Sequence, residues 1–378
     1  MEFLWEGLLQ ITWQQAVMYG IGILLIYLAV KKGYEPALLL PMGFGAILVN
    51  LPLSGVINQN VEGIGVVNGI IEWLFEVGIE ASEALPILLF IGIGAMIDFG
   101  PLLSMPSMFL FGAGAQFGIF FALSTAVLLG FDLKDAASIG IIGAADGPTS
   151  ILVSQILRSK YVGAIAVAAY SYMALVPIVQ PFAIRLVTTK KERRIRMEYT
   201  PGTVSKGMRI AFPILTTFLV GLVAPQSVAL VGFLMFGNLI RECGVLGTLS
   251  DTAQNVLANL ITLLLGLTIS FSMRAEAFVN VDTLLIMGIG LIAFIFDSIG
   301  GVLLAKLLNL FRKKKVNPMI GAAGISAFPM SARVVQKMAL EEDPGNVILM
   351  HAIGANVSGQ IASVIAGGLI IGLVSAYL

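Results

Sequence analysis

The segment IGIIGAADGPTSILVSQIL (residues 139–157) sets one aspartate, Asp146, between apolar runs long enough to lie inside a bilayer. An aspartate at the centre of a membrane helix costs roughly 2.5–3.5 kcal/mol on insertion scales. Such a group is kept where it pairs, titrates or binds an ion. Gly143, Gly147 and Pro148 break the helix around it and free backbone carbonyls, while Thr149 and Ser150 add hydroxyl oxygens. A carboxylate with hydroxyls and loose carbonyls is an all-oxygen set suited to a hard cation of low charge, Na⁺ or H⁺. The bland alternative is a buried carboxyl satisfied by a neighbouring helix.

Two further stretches have the same character. In NPMIGAAGISAFPMSARVVQK, Asn317, Ser326 and Ser331 supply oxygens around Pro318 and Pro329, and Arg333 is the cation nearby. In HAIGANVSGQIASVIAGG, Asn356, Ser358, Gln360 and Ser363 interrupt an apolar helix without a formal charge. One such hydroxyl or amide is ordinary helix–helix glue; together, on broken segments, they favour an ion site. Tyr170 and Tyr172 fall inside an apolar span, where a phenol can relay a proton instead of anchoring at the interface. His351 reads as an interfacial residue and Cys243 as a small packing residue.

The elements that position these groups are membrane helices. The chain has 378 residues, 58% hydrophobic and 12% charged, against about 25% charged in soluble domains, and its mean hydropathy is +0.96. Net charge is zero, which argues against a nucleic-acid partner, and a single cysteine excludes an internal disulfide. The start, MEFLWEGLLQITWQQ, has no basic region or small-residue cleavage site, so no removable signal peptide is expected.

Spans of about 20 apolar residues are expected near 15–30, 37–57, 85–103, 107–130, 161–187, 208–224, 227–242, 255–273, 279–308 and 346–377, several of them short or interrupted. Glu72, Glu76, Glu80 and Glu83 form one face of an amphipathic interfacial helix. The basic stretches TTKKERRIRMEY (188–199) and FRKKKVNP (311–318) both belong on the cytoplasmic side.

An internal repeat suggests the architecture. FGAGAQFGIFFALSTAVLLG (111–130) aligns without gaps on MGIGLIAFIFDSIGGVLLAK (287–306), and each is followed by IGAA, at 142–145 and at 320–323. If 136–157 dips in and returns to the outside, the repeats are inverted and 316–340 dips in from the cytoplasm; if 136–157 crosses fully, they are parallel. The expected fold is an all-α polytopic membrane protein with inverted repeats, whose broken or re-entrant helices meet near the bilayer midplane. It divides into 1–84 (N-terminal helices and the interfacial segment), 85–187 (first repeat), 188–254 (basic loop and connecting helices) and 255–378 (second repeat).

The motifs GAADGPTSI, NPMIGAAGISAFPMSARV and GANVSGQIAS, in this order, resemble the membrane β-subunit of the biotin-dependent, sodium-pumping decarboxylases, which act on oxaloacetate, methylmalonyl-CoA, glutaconyl-CoA or malonate. The resemblance covers essentially the whole chain. It implies a subunit of the cytoplasmic membrane that receives carboxybiotin, decarboxylates it, exports Na⁺ and consumes a proton. Its implied partners are a carboxyltransferase α-subunit, a biotin carrier subunit and a small membrane-anchoring subunit, assembled as an oligomer. By position, Asp146 resembles the essential Na⁺ and proton carboxylate. Asn317, Gly321, Ser326 and Arg333 resemble groups used for ion binding, carboxybiotin handling or both. Tyr172 resembles a tyrosine of the proton path, and Asn356 and Ser363 a further ion-binding group. The chain lacks the longer early region of some oxaloacetate-type subunits, which tilts the expectation toward a methylmalonyl- or glutaconyl-CoA system.

Two rivals share this composition. A secondary Na⁺-coupled carboxylate transporter would use Arg333 to clamp its substrate. A purely structural membrane subunit would pair Asp146 with Arg333.

Overall fold

The computed structural model describes residues 5–377 apart from 34, 62, 64, 82, 200, 201 and 203. Helix α1 (Trp13–Lys32) opens on a capping box between Thr12 and Gln15 and closes on Gly33 in the left-handed region, the start and stop chemistry of an isolated apolar helix. It packs on α2 (Pro36–Asn50) where Gly22 and Gly43 meet. A short antiparallel hairpin, β1 (Asn58–Val61) and β2 (Gly65–Asn68), follows, with Asn58 opposite Asn68; this is the one departure from the all-α expectation among the described residues. The helical stretch Ile70–Glu80 then buries Ile71, Phe75 and Ile79 and exposes Glu76 and Glu80; Glu72 is half-buried, and Glu83 stands past the stretch in the left-handed region, so the expected four-glutamate face is only partly formed. It bends by 67° into α3 (Ala84–Met96).

The next segments are broken. The span over 106–128 divides at Ala115–Gln116 into α4 (Phe109–Gly114) and α5 (Phe117–Leu128). Helix α6 (Leu133–Gly140) runs into a 3-10 turn at Ile141–Ala144, and α7 (Gly147–Ile156) restarts after Asp146. Helix α8 (Val162–Val187) bends by 72° between Met173 and Leu175. Pro177 explains the bend, because its ring lacks the N–H that would bond the Met173 carbonyl.

Helices α9 (Lys206–Val223), α10 (Val228–Glu242) and α11 (Ala258–Ile269) lead to α12 (Val281–Phe311). At about 1.5 Å per residue, α12 is long enough to cross the hydrocarbon core and both headgroup layers. Helix α13 (Met319–Ala322) is one turn, α14 (Met330–Glu342) is amphipathic, and α15 (Leu349–Ala376) closes the chain. Six helices among the described residues are long and apolar enough to cross a membrane, up to eight if each bent pair is one span.

Helix α15 corrects one expectation. Its polar residues do not interrupt it: Asn356, Ser358, Gln360 and Ser363 lie on a continuous helix of 28 residues. Each side chain bonds a group on another segment, so the helix keeps its own backbone ladder.

Both broken hairpins return to where they start. Asp135, in the first turn of α6, accepts from Ser159 at 2.6 Å and lies 3.9 Å from Lys160, just past α7. Asn317, before α13, donates to the carbonyls of Arg193 and Ile195, and Glu342, ending α14, pairs with Arg193 at 2.6 Å. The first pair of ends adjoins the start of α12, where Tyr161 donates to Asp282 at 2.5 Å. The second adjoins its far end, where Lys306 meets Glu192 at 3.0 Å. The two basic stretches therefore share one face, with Lys314 near Glu198 at 3.8 Å.

Candidate functional site

The chain around Asp146 is shaped by two backbone choices. Ala145 has φ of +52°, a left-handed conformation that costs an L-residue about 1–2 kcal/mol. Asp146 is extended and stands as the N-cap of α7, with Pro148 in the first turn where its missing N–H is no loss. The turn throws the carboxylate off the helix axis and into the protein, where it is buried.

Its oxygens are held by hydroxyls. Thr149 Oγ1 donates to Oδ2 at 2.8 Å and Thr149 N–H to Oδ1 at 3.3 Å. Ser363 Oγ, from α15, donates to Oδ2 at 2.8 Å. Ser150 Oγ donates to the Asp146 carbonyl at 2.7 Å. No Lys, Arg or His is paired with Asp146 among the described residues. Arg333 is exposed on α14, which removes the Asp146–Arg333 pair that the structural-subunit reading needs.

The second break meets the first. Ser326 N–H donates to the Ala144 carbonyl at 3.1 Å, so the loop after α13 abuts the turn that carries Asp146. Helix α15 clamps that loop: Asn356 Nδ2 donates to Ile325 O at 2.7 Å, Gln360 Nε2 to Ser326 O, and Ser326 Oγ donates to Gly359 O at 3.0 Å. Asn356 Oδ1 is buried with no partner. Asp146, Thr149, Ser363, Ser326 and Asn356 therefore belong to one knot of oxygen-bearing side chains around Ala144–Asp146. Each hydroxyl can turn a lone pair toward a cation, and Asn356 Oδ1 is free to accept one.

Asn317 and Arg333 lie apart from this knot. Asn317 is buried, its amide spent on the Arg193 and Ile195 carbonyls and its Oδ1 accepting from Met319 N–H at 3.1 Å. Asn346 donates to the same two carbonyls, a partner the sequence did not suggest. Arg333 lines a cavity of about 440 Å³ with Gln336, Lys337, Leu340, Glu341 and Leu349, on the face of the basic stretches. Gly321 lies against Gly301, where a Cβ on either would strike the other's backbone. Both IGAA tetrapeptides thus dock on α12, Gly143 against Ala293 and Gly321 against Gly301.

The two tyrosines separate. Two residues apart on a helix, they point about 200° from each other. Tyr170 packs its ring on Gly147, next to Asp146, with its hydroxyl buried and unpartnered. Tyr172 turns to α12 and donates to the Met287 carbonyl.

A family model described as the Na⁺-transporting oxaloacetate decarboxylase beta subunit matches residues 14–374. The glutaconyl-CoA decarboxylase subunit beta of Acidaminococcus fermentans is 47% identical over 98% of this chain and 96% of its own length. The methylmalonyl-CoA decarboxylase subunit beta of Propionigenium modestum is 46% identical over 94% of each. The probable oxaloacetate decarboxylase beta chain of Vibrio cholerae is 42% identical over 97% of this chain and 96% of its own.

Proposed function

Because the chain belongs to the family of Na⁺-transporting decarboxylase beta subunits, we propose that its own reaction is the decarboxylation of carboxybiotin, presented on a partner carrier protein. Loss of CO₂ leaves an electron pair on the biotin ureido nitrogen, which must take up a proton. Asp146 supplies that proton and exchanges it for Na⁺. The observation that carries this reading is the Asp146 carboxylate itself: buried, held by hydroxyls, and without a cationic partner among the described residues. One cation, Na⁺ or H⁺, completes it, and the two exclude each other. Protonation by one route and Na⁺ release by another then couple decarboxylation to export.

Asp146, Thr149, Ser326, Asn356 and Ser363 are the sodium ligands in this scheme. Tyr172, or Tyr170 beside Asp146, serves the proton path. Arg333 and the cavity it lines receive carboxybiotin at the cytoplasmic face, and Asn317 ties that face to the second break. A carboxyltransferase subunit, a biotin carrier and a small membrane subunit are the partners, in the cytoplasmic membrane. The two hairpins, each with its ends together and at opposite ends of α12, support inverted repeats over 85–187 and 255–378. The matches to glutaconyl-CoA and methylmalonyl-CoA decarboxylase subunits without added length favour an acyl-CoA as the upstream substrate.

The test uses purified protein in sealed liposomes, supplied with carboxylated carrier domain from the cytoplasmic face. Na⁺-stimulated CO₂ release with ²²Na⁺ movement supports the scheme. Asp146→Asn should lose both; full decarboxylation in that variant would sink it.

A further inference from the structure

Helix α5 restarts at Phe117, after the break at Ala115–Gln116, and its first N–H groups lack acceptors within the helix. One of them, Gly118 N–H, donates to Oδ1 of Asp297, a residue of α12. Asp297 caps α5 from another helix, much as Asp146 caps α7 from within. A cap needs one acceptor oxygen, which an asparagine supplies without charge. Asp297 brings two, and Oδ2 is buried with no hydrogen-bond partner. That oxygen faces Gly143, where a Cβ would stand 3.2 Å away. Gly143 belongs to the turn that leads into Asp146.

Among the described residues, no countercharge faces this oxygen from any packed element. Helices α4, α5 and α13 and the Ile141–Ala144 turn contain no ionisable side chain. On α6, Lys134 and Asp135 stand in the first turn, Asp135 engaged by Ser159. On α7, Asp146 is engaged by Thr149 and Ser363. On α8, Tyr170 lies on Gly147, Tyr172 donates to Met287 O, and Arg185 pairs with Glu341. On α12 itself, Asp282 and Lys306 lie at its two ends, with Tyr161 and Glu192. A carboxylate buried this way, faced only by the N-terminus of α5, is costly to keep charged.

We infer that Asp297 is a second proton-holding carboxyl of the pump, taking a proton at Oδ2 behind the turn that positions Asp146. The assignment rests on the sodium-transporting role of the family, and the alternative is a structural cap with no bound proton.

Asp297→Asn separates them, because the amide oxygen still accepts from Gly118 while the proton site is lost. In the purified decarboxylase complex, CO₂ release is measured against Na⁺ and against pH. If Oδ2 holds a proton that the reaction uses, the pH profile moves by about one unit while Na⁺ half-saturation stays. Both profiles unchanged would overturn the assignment. Wild-type Na⁺-stimulated decarboxylation in the same assay keeps this failure distinct from failure of the pump reading. Should Asp297→Asn not be recovered folded, infrared spectra of the Asp146→Asn protein give a second readout. A protonated-carboxyl C=O band, removed by raising pH, supports the site. Absence of that band at every pH overturns it.

Discussion

Ser363 Oγ donates to Asp146 Oδ2 at 2.8 Å although 217 positions of sequence separate the two residues. This bond joins the last helix to the first break, so the carboxylate is shaped by both halves of the chain. A hydrogen bond to a charged group is worth roughly 1.5–3 kcal/mol. Ser363→Ala should therefore raise the Na⁺ concentration for half-maximal decarboxylation by about tenfold or more. A Na⁺ titration of CO₂ release checks this, and an unchanged midpoint would remove Ser363 from the ligand set.

The tyrosines give a second test. Tyr170 Oη has no partner, so Tyr170→Phe removes no folded-state hydrogen bond and should leave Tm in place. Its place beside Asp146 leads us to expect a slower Na⁺-dependent rate. Tyr172→Phe removes the bond to Met287 O and should lower stability by about 1 kcal/mol. Thermal unfolding and rate, measured together on both variants, decide which phenol serves proton transfer. A Tyr170→Phe enzyme of full rate would leave that role to Tyr172.

Much of this site is legible in the sequence, for a local reason. Gly143, Gly147 and Pro148 surround Asp146 within a few residues, and a helix cannot continue through them around an exposed charge in lipid. The convergence of three segments is another matter. That Ser326 N–H meets Ala144 O, or that Asn356 clamps Ile325, depends on pairings more than 30 residues apart, which no local pattern encodes. The break expected within 346–377 failed because the polar groups there are satisfied by neighbouring segments and not by their own backbone. Asp297 aligns with Phe121 of the first repeat, so the repeat does not mark it. The cost argument that singled out Asp146 applies equally to AFIFDSIGGV and was the available signal.

Acid should loosen the clamp on the face of the basic stretches. Arg196 holds Asp343 through two bonds, Nε to Oδ2 at 2.7 Å and Nη2 to Oδ1 at 2.9 Å. That guanidinium, with help from Gly345 N–H, keeps the Asp343 carboxyl below the usual aspartate range. Its folded value lies below its unfolded one, so the unfolded state binds more protons as pH falls. The stabilisation is full above the unfolded value, near pH 4, and is lost as pH falls through the folded one. The Tm difference between wild type and Asp343→Asn should be constant from neutral pH down to about 5 and shrink below it. A difference independent of pH would mean that the bond, not the charge, carries the effect.

The crossing of Gly301 on Gly321 closes the argument about what holds the second break. A Cβ on either glycine would meet the backbone of the other helix, with no flexible side chain to yield. Helix α13 is one turn and cannot slide away, because Asn317 before it is tied to the Arg193 and Ile195 carbonyls and Ser326 after it is tied to Ala144. Gly301→Ala and Gly321→Ala should each lower stability by about 1–3 kcal/mol, read as a fall in Tm of the detergent-solubilised protein. Gly301 touches none of the site's oxygens, so an equal loss of Na⁺ affinity in both variants would show that the glycines act by seating α13. Loss of Na⁺ affinity in Gly321→Ala at unchanged Tm, with Gly301→Ala unaffected, would instead place the Gly321 backbone in contact with the ion.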